Sequence, residues 1–312
     1  MPVCVARSGT PVRSSRTPAP TCSTTDPTGR RGRGQGTVLD KCTDISSTHV
    51  DVVDRQQLPS HHREAHGERT NRMLFEQHYL DCLSQASYVI ADEGTKRAVV
   101  VDPRRDVSPY LETAEEHGLT IELVLETHFH ADFLSGHLEL AAATEAEIGY
   151  GDVAVTEFES RGFADGERYS LGDVTLEIRH TPGHTPESIS IVVYEHADDE
   201  TPYAVLTGDT MFIGDVGRPD LLSSIGVTAD ELAGQLYDSL HERLLTLPDA
   251  TRVFPAHGAG SACGKNLSTD TSSTIGEQRA GNYALQPMSK DDFVLAVTEG
   301  QPTAPAYFAF DA

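Results

Sequence analysis

From Met73 onward the apolar residues fall into short runs broken by turn residues; before it they follow neither a helical nor a strand period. Ser87–Ala91 and Ala98–Val101 are apolar, largely β-branched runs separated by Asp92, Glu93 and Gly94, which predicts a hairpin. Residues 109–117 predict a helix that stops at Gly118. Ile121–Leu125 predicts a buried strand, and residues 135–147 an Ala-rich helix. Val174–Ile178 alternates apolar and polar, as a half-buried strand does. Ser188–Tyr194, Tyr203–Leu206 and Arg252–Phe254 predict further strands. Thr228 and Glu231 form a capping box, after which Leu232, Leu236, Leu240 and Leu244 follow at helical spacing. Lys290–Val297 predicts a last helix behind a Ser289 cap. Two strand-rich halves with interspersed helices predict an α+β fold rather than a simple alternating βαβ chain.

Length and charge narrow the function classes. At 312 residues and 38% apolar content, the chain can bury a large core as one big domain or two ordinary ones. No run approaches the roughly 18 consecutive apolar residues of a membrane helix, so no membrane partner is expected. The net charge of −24 repels nucleic acid. Five cysteines make no disulfide framework and fit a reducing cytoplasm. Only Lys41, Lys96, Lys265 and Lys290 are lysines among 24 basic residues. Such an acidic, Lys-poor surface suits a salt-loving organism, or simply an acidic protein from a GC-rich genome.

The charge is uneven. Residues 1–72 carry 11 basic and 7 acidic side chains, whereas residues 73–312 carry 13 and 41, a net of −28. The first stretch is rich in Ser, Thr, Pro, Gly and Arg and has no apolar period, so it is not expected to pack a core. It is either upstream of a true start at Met73, the favoured reading, or a basic unstructured arm, or an Arg- and Ser-rich transit peptide. The folded domain is therefore expected over 73–312.

The chemistry-bearing residues stand at strand ends. His128, His130 and Asp132 follow the strand Ile121–Leu125 directly, and two imidazoles and a carboxylate within five residues can face one cation. His184 follows a tight Pro182-Gly183 turn after the next long strand. Asp209 follows Leu206-Thr207-Gly208, and His257 follows Pro255-Ala256. Four separate strand ends each deliver a His or an Asp, and together they can build one metal site.

In this order the motifs His-x-His-x-Asp, Pro-Gly-His-Thr, Gly-Asp-Thr and Pro-Ala-His resemble the metallo-β-lactamase superfamily. The resemblance covers about residues 73–300 and implies an αβ/βα four-layer sandwich with metal at the edge between two sheets. Hydrolases of that superfamily, such as glyoxalase II, follow the Asp with a His that serves a second metal. Here the position is Phe133, which cannot ligate. The chain more closely resembles the persulfide dioxygenase branch, especially bacterial members often fused to rhodanese domains. The stretches Gly214–Asp220, His257–Lys265 and Ser273–Glu277 carry that likeness.

The resemblance implies one Fe(II) per chain on His128, His184 and Asp209, a two-His-one-carboxylate set that leaves positions open. His130 and Asp132 would support these ligands by hydrogen bonds, or serve only to orient the loop, and His257 would lie nearby. The implied reaction uses O2 to oxidise the outer sulfur of a small thiol persulfide, such as glutathione persulfide, to sulfite. Arg218 could fork a carboxylate of that thiol, or pair with Asp215 or Asp220. Cys263 could hold persulfide or gate access, with Lys265 stabilising its thiolate, or could be a small residue in a tight turn. Cys82 reads as a packing residue ahead of the first strand. The alternative activity is a Zn-dependent hydrolase of small thioesters. No rhodanese sequence follows Ala304–Phe308, so a separate rhodanese-type sulfurtransferase is an expected partner unless the chain is a truncated fusion. A homodimer is possible on superfamily grounds alone. The charge of the 73–312 region carries its own test. Salt screens self-repulsion, so the thermal unfolding midpoint should rise from low to molar KCl, and a fall would show that repulsion is no constraint.

Overall fold

The computed structural model describes residues 73–221 and 227–301, together with residues 303, 305 and 308. The expectations for residues 1–72, including Cys4, Cys22 and Cys42, lie outside the described residues.

Two six-stranded sheets carry the fold. The first, in order, is β1 (Met73–Leu80), β2 (Gln85–Asp92), β3 (Arg97–Val101), β4 (Thr120–Leu125), β5 (Glu147–Gly151) and β6 (Arg161–Phe163). The strands β1, β2 and β3 pair antiparallel, and β3 through β6 pair parallel. Parallel neighbours need crossovers, and α1 (Ser108–His117) and α2 (His137–Thr144) supply those from β3 to β4 and from β4 to β5. The second sheet runs β12 (Ser273–Thr274), β11 (Arg252–Pro255), β10 (Ala204–Gly208), β9 (Ile189–Tyr194), β8 (Thr175–His180) and β7 (Arg168–Ser170). The helices α3 (Ala229–Asp238), α4 (Ile275–Gly281) and α5 (Lys290–Thr298) complete the chain order.

Strand alternation sorts the apolar residues into three layers of packing. Tyr88, Ile90, Val99, Val101 and Leu125 face Ile178, Ile191, Val193, Leu206 and Phe254 between the sheets. The intervening Val89, Ala91, Ala98 and Val100 pack outward on Tyr110 of α1 and Leu140 of α2. On the other side Val192, Val205 and Val253 pack on Ala233, Leu236 and Phe293. The result is the αβ/βα sandwich, and it explains why β2, β9 and β10 are buried on both faces.

Several elements differ from the sequence expectation. The Ala-rich helix is shorter than 135–147, because Glu145 turns left-handed and Glu147 opens β5. The four leucines do not share one α-helix. After Asp238 the chain widens into a π-helical segment, Ser239–Leu244. A four-residue spacing overshoots an α-turn by about 40° per step, and the wider turn brings Leu240 and Leu244 back onto the sheet. The first strand is β1, which alternates too weakly to be seen; Cys82 therefore follows it, in the turn to β2.

Asp92 ties the two sheets together. Its Oδ1 accepts N–H bonds from Gly94 (2.7 Å) and Thr95 (3.0 Å), and its Oδ2 from Asp173 (2.6 Å) and Val174 (3.3 Å). Burial would raise its pKa, but the four N–H donors outweigh that and hold it below the ordinary value. Asp92→Asn should cost about 1.5–3 kcal/mol at neutral pH, read by urea denaturation. A depressed folded pKa gives stability that is full above the unfolded value of about 3.9 and lost as pH falls through the folded value. The difference between wild type and variant should therefore close in acid; a difference independent of pH would refute this account.

Candidate metal centre

Four loops at the edge between the sheets meet at the centre. The loop after β4 brings His128, His130 and Asp132, the β8–β9 turn brings His184, the end of β10 brings Asp209, and the end of β11 brings His257. Gly183 lets the second loop lie flat on α3. Its φ is +148°, and a Cβ there would stand 2.5 Å from Leu236 Cα.

His128, His184 and Asp209 are each at most 2% exposed and bring one ligand atom apiece within 4.8 Å of the others. His128 Nε2 is 3.9 Å, and His184 Nε2 is 3.6 Å, from Asp209 Oδ2. One ion with bonds of about 2.0–2.2 Å spans such separations. His128 Nε2 and Asp209 Oδ2 are buried without a hydrogen-bond partner, an arrangement that costs free energy unless a cation takes it up.

The surrounding bonds fix both tautomers. His184 Nδ1 lies 2.9 Å from the Arg218 carbonyl, which can only accept, so Nδ1 carries the proton. Thr127 Oγ1 gives its one proton to Asp102 Oδ2 (2.8 Å) and therefore accepts from His128 Nδ1 at 2.9 Å. Asp102 Oδ1 also accepts the Thr127 backbone N–H at 2.7 Å. Both Nε2 lone pairs are thus left for a metal. Burial, and then the neighbouring His130, hold the His128 pKa well below the ordinary value, so the ring is neutral. Burial would raise the Asp209 pKa, but the charge and hydrogen bond of His257 outweigh it and keep the carboxylate ionised.

The remaining polar residues stand aside from these atoms. His257 lies between two carboxylates, Nδ1 2.7 Å from Asp209 Oδ1 and Nε2 2.8 Å from Asp132 Oδ2. Burial lowers its pKa, but the two carboxylates raise it to about 10. Asp132, His257 and Cys263 form a second group of possible metal donors, with His257 and Cys263 buried and Asp132 partly so; the Phe133 ring centroid lies 6.3 Å from that of His257. His130 sits in a third group, with Asp102 and Glu126.

Two expectations are corrected. Arg218 does not reach toward a ligand carboxylate. It is 1% exposed and forks Asp220, not Asp215, with Nε–Oδ1 at 2.7 Å and Nη2–Oδ2 at 2.8 Å, while Nη1 donates to the Ala262 carbonyl. Its backbone carbonyl is what serves the centre, by orienting His184. Gly217 allows this, because a side chain there would run into the Asp209 carbonyl. Lys265 does not stabilise a Cys263 thiolate. Its ammonium donates to the carbonyls of Ala296 (2.8 Å) and Glu299 at the end of α5. Burial, then Asp132 and Asp209, push the Cys263 pKa well above the ordinary value, so the thiol stays protonated.

Asp102, Glu126 and Thr127, to which the sequence pattern assigns no role, also belong to the site. All three are at most 1% exposed. The available signal was a polar residue set directly at the end of an apolar strand: Asp102 after Ala98–Val101, and Glu126 and Thr127 between Ile121–Leu125 and His128.

A two-sheet sandwich with a buried centre of two histidines and one aspartate at its edge defines a metal-dependent protein of the αβ/βα class. The chain belongs to the metallo-beta-lactamase superfamily, whose family model matches residues 80–257. It is 29% identical to human mitochondrial persulfide dioxygenase ETHE1, over 67% of this chain and 74% of that one. It is 30% identical to a hydroxyacylglutathione hydrolase of Rhodospirillum rubrum, over 72% of this chain and 78% of that one. The fold matches a crystal structure of a metallo-beta-lactamase from Staphylococcus aureus with a TM-score of 0.71 and 37% identity, covering 77% of this chain and 71% of that one.

The support beneath His128 is testable. Thr127→Val removes the acceptor for Nδ1–H and should weaken metal binding about 10–100-fold, read by chelator competition. Unchanged affinity would mean that the Thr127–Asp102 relay does not orient the ligand.

Proposed function

We propose that the protein is an Fe(II) persulfide dioxygenase. The observation that carries this reading is that one fully buried set, His128, His184 and Asp209, offers two imidazoles and one carboxylate to a single cation. Phe133 contributes no ligand, His257 Nδ1 is hydrogen-bonded to Asp209 Oδ1, and His257 Nε2 faces Asp132 Oδ2 at 2.8 Å. A dinuclear hydrolytic centre needs those groups for its second ion, whereas a mononuclear two-His-one-carboxylate set suits O2 chemistry. The similarity to the human persulfide dioxygenase supports the same reading.

In the overall reaction a persulfide RSSH, O2 and water give RSH, sulfite and two protons. Iron on His128, His184 and Asp209 would supply open coordination positions and redox capacity, which zinc lacks. The protein's own part is to keep both Nε2 atoms deprotonated and Asp209 ionised, so that the donor set is ready without rearrangement. Ala131, Phe212 and Cys263 pack into an apolar cluster beside His257, and such walls limit the access of water. Arg218 is occupied by Asp220 and does not select the carrier thiol.

The alternative is a zinc-dependent hydrolase of small thioesters. It is favoured by the hydroxyacylglutathione hydrolase relative, whose identity is as high as that of the dioxygenase. One experiment separates the two. The full chain is purified without air, its iron and zinc are measured, and glutathione persulfide is added while O2 and sulfite are followed. One iron per chain with O2-dependent sulfite, lost in His128→Ala, is the expected result. Zinc-loaded protein that ignores persulfide and cleaves a thioester would replace this reading with the hydrolase.

A further inference from the structure

His130 lies beside the centre and takes no part in it. Its ring centroid is 4.2 Å from that of His128, yet its nitrogens fall outside the three-atom cluster of His128, His184 and Asp209. Its Nε2 lies instead 3.2 Å from Asp102 Oδ1 and 3.3 Å from Glu126 Oε2. Neither ring nitrogen makes an aligned hydrogen bond, so the attraction of the two carboxylates is what holds the ring there.

The two carboxylates are anchored differently. Asp102 is occupied by Thr127, through both oxygens. Glu126 is fixed at Oε1 by Ser135 Oγ (2.6 Å), and its backbone N–H continues the strand ladder to Gly149 (3.0 Å). Its Oε2 has no hydrogen-bond donor and faces His130. Glu126 and His130 line a cavity of about 260 Å³ with Phe133, His137 and Tyr150, so space for the ring to turn adjoins it. Nothing in the chemistry of the centre uses Glu126, although it is a fully buried carboxylate, a costly group to hold without a role.

We propose that Glu126 is a positioning residue which, with Asp102, holds His130 away from the cation and keeps the centre at two imidazoles and one carboxylate. Without it the His130 ring turns and adds a third imidazole, closing one of the open positions and favouring zinc. This inference rests on a cation held by His128, His184 and Asp209, and not on the dioxygenase reading, so either can fail alone.

The test uses the full chain loaded with Co(II). Proton NMR of the cobalt protein shows one hyperfine-shifted exchangeable N–H for each coordinated imidazole. Wild type should show two. Glu126→Ala should show three and bind Zn2+ at least about 10-fold more tightly. Glu126→Gln keeps the side-chain shape and the Ser135 contact, and should show a partly occupied third signal. Glu126→Asp should restore two, and so should His130→Ala combined with Glu126→Ala. Two signals with unchanged zinc affinity in Glu126→Ala would overturn the proposal, as would three signals in wild type. A second cobalt ion per chain that Glu126→Gln abolishes would also overturn it, because Asp102, Glu126 and His130 would then be a cation site themselves. Loss of all cobalt binding in every Glu126 variant would count against it too, by making Glu126 a requirement of the centre itself.

Discussion

The centre depends on how one buried carboxylate is divided. Asp209 gives Oδ1 to His257 and leaves Oδ2 facing the Nε2 atoms of His128 and His184. Were both oxygens satisfied within the protein, there would be no reason for a cation to enter. Were neither satisfied, an ionised carboxylate at 1% exposure would be prohibitively costly. The imidazolium of His257 stabilises the negative charge, and Asp132 in turn stabilises His257. A chain of alternating charge, Asp132, His257, Asp209, thus flanks the Oδ1 side of the centre.

The fold serves this arrangement by bringing strand ends together. β4 in one sheet and β8, β10 and β11 in the other all end at the same edge of the sandwich. The inter-sheet core of Tyr88, Leu125, Ile191, Leu206 and Phe254 sets the distance between them. Close packing makes that distance hard to change, so the loops start from fixed points. Short loops then do the fine positioning. The backbone carbonyl of Arg218 orients His184, and the Thr127 hydroxyl orients His128. Polar side chains expected to meet a ligand are used for this internal scaffolding instead, Arg218 on Asp220 and Lys265 on the end of α5.

Much of the fold was legible because strands buried on both faces read as unbroken apolar runs, as β2, β9 and β10 do. The strand β1 was not, because its Glu76 and Gln77 find polar partners in other segments. Gln77 meets Tyr88 and the Thr271 carbonyl, and Glu76 meets Thr113. The four leucines after Thr228 gave the helix but not its change of winding, since that depends on the sheet against which Leu240 and Leu244 pack.

The sequence by itself determined which residues stand at the four strand ends, because an apolar run followed by a turn and a His or Asp is a local signal. The choice of His128, His184 and Asp209 among those residues came from the superfamily resemblance and not from the local pattern. Only the tertiary structure decided how the remaining polar groups were shared out. Whether Arg218 meets Asp215, Asp220 or a ligand, and whether His130 faces the cation or Asp102 and Glu126, depends on distances between segments far apart along the chain. Those distances are set by packing of the two sheets, and no local pattern encodes them.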